Sequence, residues 1–174
     1  VTMKHVGVNV CADPLFTAAY TGVNGGLVIL AADDPGMFSS QNEQDSRYYA
    51  MASMVPIMEP ADSAEAHRFA KDAYGISEQF DTPVMMRSTV RISHTKTPVE
   101  VGERTEVAKR PYKKDCAKWV MMPAFAKPRR KVLVERISKI REWVETCPYN
   151  TIERNTPEGS NKRIGIICAG AVYQ

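Results

Sequence analysis

Short apolar runs that alternate with amphipathic stretches give the first indication of the fold. The clearest run is residues 27–32, which read Leu-Val-Ile-Leu-Ala-Ala and lead into Asp-Asp-Pro-Gly at residues 33–36. A run of this length fits a strand buried on both faces, and the acids, proline and glycine that follow end it in a turn. Residues 37–47 are then rich in hydrogen-bonding side chains. Polar groups just past the carboxyl end of a buried parallel strand are typical of the ligand edge of an open α/β sheet.

Apolar residues at helical spacing predict helices between these runs. The best candidate is residues 62–80, where apolar side chains recur every three or four positions. Asp62 and Glu65 at its start form a capping-box pattern. Further helices are predicted over residues 12–20, 42–54 and 132–146.

The order of these elements predicts the fold class. Strands are expected over residues 1–3, 27–32, 56–60 and 84–92, and residues 4–9 are expected to form the loop after the first strand. Because strands and helices alternate, we expect crossover connections and a mostly parallel α/β sheet flanked by helices.

The pattern changes near residue 95 and divides the chain into three predicted regions. Residues 1–95 form the α/β part, and residues 96–160 form a charged, proline-rich linker region with one helix over residues 132–146. Residues 156–161, at the end of this region, are predicted to be a flexible connector. Residues 161–174 are predicted to supply the first strand of a second α/β domain. Strand-like runs at both ends lead us to expect an excerpt of a longer polypeptide.

Composition excludes several classes of protein. The chain of 174 residues is 44% hydrophobic and 25% charged, which is ordinary for a globular protein, and its net charge of +3 is too small to indicate nucleic-acid binding by itself. No apolar run reaches membrane-spanning length. The four cysteines are scattered and form no C-x-x-C pair, so we expect reduced thiols and a cytoplasmic location.

A basic cluster in the linker region is a candidate nucleic-acid surface. Acidic residues are interspersed with it and no DNA- or RNA-binding motif accompanies it, so a solvated linker is the better explanation. A patch for coenzyme A phosphates or an acidic ferredoxin is the lesser alternative. The cluster comprises Arg110, Lys113, Lys114, Lys118, Lys127, Arg129, Arg130 and Lys131.

Several ungapped stretches carry a resemblance to a known family. In them the chain closely resembles the alpha subunits of indolepyruvate:ferredoxin oxidoreductases, which are thiamine-diphosphate-dependent 2-oxoacid:ferredoxin oxidoreductases. The match is dense over residues 1–95 and returns near residues 148–173. The matching stretches are residues 2–9, 12–14, 20–26, 32–36, 39–50, 80–84, 87 and 91–94.

The resemblance implies a specific activity for the parent protein. Such enzymes oxidatively decarboxylate indolepyruvate and other aryl 2-oxoacids to aryl-acetyl-CoA, with thiamine diphosphate and Mg²⁺, and pass electrons through 4Fe-4S clusters to ferredoxin. Their partners are a beta subunit, ferredoxin, coenzyme A and the 2-oxoacid. Residues 1–95 would then be part of a pyrimidine-binding domain, and residues 161–174 would begin a transketolase C-terminal-type domain. Two alternatives are a related oxidoreductase with a different 2-oxoacid substrate and a non-catalytic α/β interaction module.

Other expected parts of such an enzyme do not occur in this sequence. The resemblance implies that the glutamate that activates the cofactor lies upstream of Val1. Neither a Gly-Asp-Gly diphosphate segment nor the clustered cysteines of iron–sulfur sites is found. We therefore expect no catalytic residue, metal site or bound cofactor in this chain alone, and no turnover. Because a truncated parallel sheet exposes an edge, the chain is also expected to form a homodimer.

The resemblance places the segment after the first strand against the cofactor. It implies cofactor-binding roles for Lys4, Gly7 and Asn9, and for Gln41 in the polar segment. Gly7 would let the backbone approach a ligand closely. His5 would bind substrate by carrying a proton or holding an oxygen. The alternative for His5 is a surface-loop histidine with one local hydrogen bond.

Arg47 is the candidate for binding the substrate carboxylate. It resembles in placement the carboxylate-binding arginine of the related pyruvate enzyme, and a guanidinium binds a carboxylate through two parallel hydrogen bonds. Its alternative is a surface ion pair with Glu43, four residues earlier. Ser40 is expected in the same pocket, with helix capping as its alternative. Phe38 occupies a position where the family has histidine, and is expected either to stack on an aromatic substrate or to make a buried apolar contact.

Overall fold

Four short strands form one parallel sheet in the computed structural model, which describes residues 1–104, 106–154 and 164–174. The strands lie in the order β1-β2-β4-β3, and every pairing is parallel. The predicted α/β class with a parallel sheet is therefore confirmed. The strands are β1 (Thr2–Lys4), β2 (Val28–Asp33), β3 (Ile57–Met58) and β4 (Val84–Thr89).

Helices cover both faces of this sheet. In the part of the chain that the structure describes, the longest are α4 and α7, and a short 3₁₀ turn, Gly170–Val172, follows near the end. The helices are α1 (His5–Val10), α2 (Ala12–Thr21), α3 (Ser46–Ser53), α4 (Ser63–Phe80), α5 (Val90–His94), α6 (Cys116–Trp119) and α7 (Pro123–Val144).

The alternation of side chains along β4 separates two cores. Met85 points to the face covered by α1, α2, α3 and α7, where it packs with residues such as Leu15 and Leu133. Val84 and Met86 point to the opposite face, where α4 supplies Phe69 and other apolar side chains. Successive residues of a strand face opposite sides, so a β4 that is apolar on both faces fits the centre of a covered parallel sheet.

The predicted helix over residues 62–80 is confirmed as α4. The Asp62 carboxylate accepts a hydrogen bond from the Glu65 backbone N–H at 2.8 Å, and the Glu65 carboxylate accepts one from Ala61 N–H at 2.9 Å. The first bond satisfies a backbone donor that the start of a helix leaves free, and the second fixes the residue before the N-cap. The helix ends where Asp81 adopts a left-handed conformation with φ of 52°.

The loop predicted over residues 4–9 is wrong, because residues from His5 onward form α1. Glycine and asparagine in this stretch disfavour a helix, but His5 and Val8 lie three residues apart and are both buried against the sheet. A Cβ added at Gly7 would lie 2.9 Å from the Met3 Cβ. Glycine here thus permits the close approach of α1 to the end of β1.

Among the other element boundaries that differ from the predictions, two lie where the chain leaves the sheet. The helix expected from residue 42 begins only at Ser46, because Asp45 acts as the N-cap and accepts a hydrogen bond from Arg47 N–H at 3.0 Å. The strand expected over residues 84–92 ends at Thr89, where the chain turns into α5. Both differences occur where the chain leaves the sheet, and both shorten the predicted element.

The predicted linker region contains a long helix that packs on the core. The helix expected over residues 132–146 begins earlier, at Pro123, and it places Leu133 and Ile140 in the interior. Proline in the first turn suits the start of a helix. Three arginines of this helix donate to other helices: Arg129 to the carbonyls of Tyr20 and Thr21, Arg136 to Ala19, and Arg130 to the Met54 sulfur. The helix is thus joined to residues 1–95 by packing and by hydrogen bonds.

The end of the chain does not join the sheet. Residues 164–169 pair with none of the described strands, and the 3₁₀ turn follows them. The strand expected there, and the division into domains, stay predictions. The connector expected over residues 156–161 lies outside the described residues. Within the described ranges, each helix is too short or too polar to cross a membrane.

Candidate functional site

The carboxyl ends of β1 and β2 meet a tightly folded loop that Asp34 organises. Its buried carboxylate accepts hydrogen bonds from the backbone N–H groups of Phe38 at 3.1 Å and Ser39 at 2.9 Å, and from the Ser40 hydroxyl at 2.6 Å. The Ser40 hydroxyl and the Ser39 N–H, as the strongest contributors, lower the pKa of Asp34 to about 2. An ionised Asp34 therefore holds residues 34–40 in one conformation.

Lys4 borders a small polar cavity beside this loop. Its Nζ donates a hydrogen bond to the Ser39 carbonyl at 3.1 Å and lies 3.7 Å from an Asp34 carboxylate oxygen. The cavity has a volume of about 320 Å³ and is lined by Lys4, Val6, Ser39, Ser40 and Gln41. Three predicted site residues, Lys4, Ser40 and Gln41, are therefore brought together here.

The other predicted residues of α1 lie outside this lining. His5 is fully buried, its Nε2 is 3.2 Å from the Asn42 carbonyl, and its Nδ1 has no hydrogen-bond partner among the described residues. The alternative of a surface histidine is therefore wrong. Gly7 packs against Met3, and Asn9 is exposed. This segment is a helix and not the expected loop. Its successive side chains therefore point in different directions and cannot all face the cavity.

A buried arginine forms a second polar group at the same sheet edge. Arg87, only 7% exposed, lies in β4, where its Nε donates to Asp33 at 2.6 Å and its Nη1 to Glu59 at 3.0 Å. Asp33 also accepts hydrogen bonds from the Ser46 backbone N–H at 2.9 Å and from the Ser46 hydroxyl. These bonds satisfy a carboxylate and a guanidinium that would be costly to bury alone.

Arg47 lies at the exposed border of this group. Its Nε and Nη2 donate to the Asp45 carboxylate at 2.9 and 2.6 Å, its Nε is 3.8 Å from Glu59, and half of its side chain is exposed. The hydrogen bond to Asp45 is the main cause that raises the pKa of Arg47 and lowers that of Asp45. The expected alternative partner, Glu43, instead accepts a hydrogen bond from Gly36 N–H. Arg47 is therefore a fixed cation that solvent and small anions can reach.

The network of Arg87, Asp33 and Glu59 was not predicted from the sequence. One signal was available, because an arginine within the apolar run of β4 must be buried and therefore needs carboxylate partners. Asp33 ends another strand, and only the strand order places it beside β4. Glu59 follows β3, and no local pattern links it to the other two.

Phe38 and the two remaining histidines lie at the surface. Phe38 is 81% exposed, so it makes no buried apolar contact. His67 and His94 are exposed as well. In residues 1–104, 106–154 and 164–174, no three His, Cys, Asp or Glu side chains form a group that could bind a metal ion.

The basic cluster is less solvated than expected. Lys118 lies 2.8 Å from Asp81, and Arg110 lies 2.6 Å from Glu78. Arg129 and Arg130 donate to the ends of α2 and α3. Four of the eight residues of the cluster therefore contact other parts of the fold. These residues help attach the predicted linker region to the α/β part.

Comparisons with known proteins agree with the resemblance seen in the sequence. The chain is 42% identical over 172 residues to the indolepyruvate oxidoreductase subunit IorA of Methanothermobacter marburgensis, and 43% identical over 177 residues to that of Pyrococcus abyssi. It is 41% identical over 174 residues to the subunit of Archaeoglobus fulgidus. These alignments cover 98–99% of the chain but only 27% of each relative, so the chain spans about a quarter of their length.

Two other comparisons gave no match. No family model matches the chain, and no solved structure matches it. The assignment therefore depends on the curated relatives, which agree in name and in the extent of the alignment. Along nearly its whole length, the chain thus matches an internal segment of the indolepyruvate oxidoreductase IorA subunits that makes up about a quarter of their length.

Proposed function

We propose that this chain forms part of the cofactor and substrate site of a thiamine-diphosphate-dependent oxidoreductase. The parent protein would oxidatively decarboxylate indolepyruvate and other aryl 2-oxoacids to aryl-acetyl-CoA, with a beta subunit, coenzyme A and ferredoxin as partners. The observation that supports this most is the identity of 41–43% to three IorA subunits along nearly the whole chain.

The cavity beside Lys4 fits the pyrimidine half of thiamine diphosphate. The Gln41 amide can donate to and accept from an aminopyrimidine, the Ser40 hydroxyl, whose proton is donated to Asp34, can accept, and Val6 offers an apolar contact. When bound, this cofactor supplies the carbanion chemistry of decarboxylation. The described residues offer no cluster of ligands for Mg²⁺, so the fit concerns the pyrimidine half alone. The chain by itself is accordingly proposed to bind the cofactor weakly and to be inactive.

His5 would act behind this cavity. It lies between two lining residues, Lys4 and Val6, and its buried Nδ1 has no partner among the described residues. If Nε2 carries the proton that is donated to Asn42, Nδ1 is left as a hydrogen-bond acceptor. Because His5 is fully buried and lies outside the cavity lining, its proposed part is to hold the Asn42 carbonyl beside the site, while Gly7 and Asn9 shape the helix that positions it.

Arg47 is the better of the two arginines for holding the substrate carboxylate. Arg87 is buried and already bound to two carboxylates, whereas half of the Arg47 side chain is exposed and its main partner is Asp45. An exposed ion pair contributes only about 0–1 kcal/mol, so a substrate carboxylate can replace Asp45 at small cost. Phe38, exposed beside Ser39, would offer its ring to the aryl group of the substrate.

The proposed role of Arg47 can be tested in the full-length protein assembled with its partner subunit. We expect Arg47→Ala to raise the KM for indolepyruvate about 10- to 100-fold, since hydrogen bonds to charged groups contribute about 1.5–3 kcal/mol. Arg141→Ala is the matched control, because Arg141 is exposed on α7 and makes no ion pair with the described residues. An unchanged KM for Arg47→Ala would reject this role.

The substrate class needs a separate measurement. Rates of ferredoxin reduction with indolepyruvate, phenylpyruvate and pyruvate should be compared on the same preparation. We expect the two aryl substrates to give the higher kcat/KM. A preference for pyruvate would instead favour a related oxidoreductase with a different substrate, and no reaction with any 2-oxoacid would favour a non-catalytic module.

A further inference from the structure

A turn near the end of the chain lies beside the carboxylate network. Gly170, the first residue of the 3₁₀ turn, is buried and has a positive φ of 61°. A Cβ added there would lie 3.3 Å from Glu59 Oε2 and 3.5 Å from the Pro60 carbonyl oxygen. Glycine at this position therefore allows both the backbone conformation and the close contact with Glu59.

The contact belongs to the turn and not to the residues that precede it. Ile164 and Ile166 are 87% and 83% exposed, so they contribute little apolar burial. Tyr173 closes the turn by donating its backbone N–H to the Gly170 carbonyl at 3.0 Å, and its hydroxyl hydrogen-bonds Glu153. The part of this segment that packs on the α/β fold is therefore centred on Gly170.

Glu59 connects this turn to both arginines of the site. Its Oε2, the atom nearest to the added Cβ, accepts the hydrogen bond from Arg87 Nη1 at 3.0 Å. Its Oε1 lies 3.8 Å from Arg47 Nε. A rotation of this carboxylate would change both distances, and a Cβ at position 170 would meet the carboxylate at 3.3 Å.

We propose that Gly170 is a positioning residue, whose turn fixes the Glu59 carboxylate and thereby the orientation in which Arg47 receives the substrate carboxylate. This inference depends on the proposed function, because it assigns Arg47 to substrate binding. The proposal adds that the turn at Gly170, which is far along the chain from the strands of the sheet, affects the affinity for the substrate. A small displacement of a binding group can change the kinetic constants strongly.

The experiment compares two glycines of the same segment in the full-length, assembled protein. Gly170→Ala is expected to raise the KM for indolepyruvate about five- to tenfold and to change kcat less than about twofold. Gly165→Ala is the matched control, because a Cβ at Gly165 meets no atom within 4 Å, and it should leave both constants unchanged. Equal KM values for the two variants would overturn the inference.

A third variant separates the contact from backbone strain. Asparagine tolerates the left-handed conformation better than alanine, but it also places a Cβ against Glu59. Gly170→Asn should therefore raise the KM as Gly170→Ala does, even if alanine lowers the melting temperature. A wild-type KM for the asparagine variant would show that only strain matters and would overturn the proposal.

Coupling to Glu59 gives the final test. In a Glu59→Gln background, adding Gly170→Ala should change the KM less than about twofold, because the two changes act on one interaction. Full additivity would contradict the inference. If Arg47→Ala leaves the KM unchanged, the proposed function fails instead; if Arg47→Ala raises it and Gly170→Ala does not, only the positioning role fails.

Discussion

Replacing Arg87 by methionine is expected to destabilise the fold by about 3 kcal/mol, since removing one partner of a buried ion pair typically costs about 3–5 kcal/mol. The variant removes the guanidinium that donates a hydrogen bond to Asp33 at 2.6 Å and another to Glu59 at 3.0 Å. The lower end of the range applies because Asp33 keeps two hydrogen bonds from Ser46 and the Glu59 side chain retains 11% exposure. Methionine fills much of the same volume, so the loss is electrostatic.

The free energy of unfolding can be measured by urea titration of the 174-residue chain, followed by far-ultraviolet circular dichroism. Arg141→Met is the matched control on an exposed position and should change stability by less than about 0.5 kcal/mol. Adding Asp33→Asn to Arg87→Met should recover part of the loss, because the uncompensated buried charge is then removed. A cost below about 1 kcal/mol for Arg87→Met, or no recovery in the double variant, would refute this account of the network.

Two further predictions follow from the loop and from the glycines. Because folding lowers the pKa of Asp34 to about 2, this carboxylate should contribute stability above about pH 4 and lose it as the pH falls toward 2; Ser40→Ala should raise the Asp34 pKa in an NMR titration and move that loss to higher pH. An unchanged Asp34 pKa in the variant would contradict the role of the serine hydroxyl. Gly7→Ala should destabilise by about 1–3 kcal/mol, since its Cβ would meet Met3 at 2.9 Å, whereas Gly75→Ala, in an open helical position, should stabilise by about 0.5–1 kcal/mol. Thermal melts of the two alanine variants that shift in the same direction would show that this reading of the glycines is wrong.

The elements that the sequence predicted well are those whose signals are local. The helix α4 has both a capping pair, Asp62 with Glu65, and a continuous apolar face. The helix α1 was missed because Gly7 and Asn9 lower its intrinsic propensity, and only burial of its other side against the sheet stabilises it. Tertiary contacts of this kind cannot be deduced from a six-residue stretch.

The same distinction applies to the candidate site. Lys4, Ser40 and Gln41 could be predicted to lie together because they follow the carboxyl ends of adjacent parallel strands. The partners of Arg87 could not, since Asp33 and Glu59 come from other elements and only the strand order brings them beside β4. Strand order depends on the whole fold.

The long helix α7 covers the side of the sheet where the strands begin and leaves open the side where they end. Arg136 is buried and donates to the Ala19 carbonyl at 2.5 Å and to Asp81 at 3.1 Å, and Arg129 donates to the carbonyls of Tyr20 and Thr21. These acceptors lie at the carboxyl ends of α2 and α4, where unpaired carbonyls and the helix dipole favour cations. In a parallel sheet with crossover helices, those ends lie at the amino edge of the strands. Arg129, a member of the predicted solvated cluster, and Arg136 thus close the amino edge, and the polar cavity and Arg47 lie at the opposite, carboxyl edge.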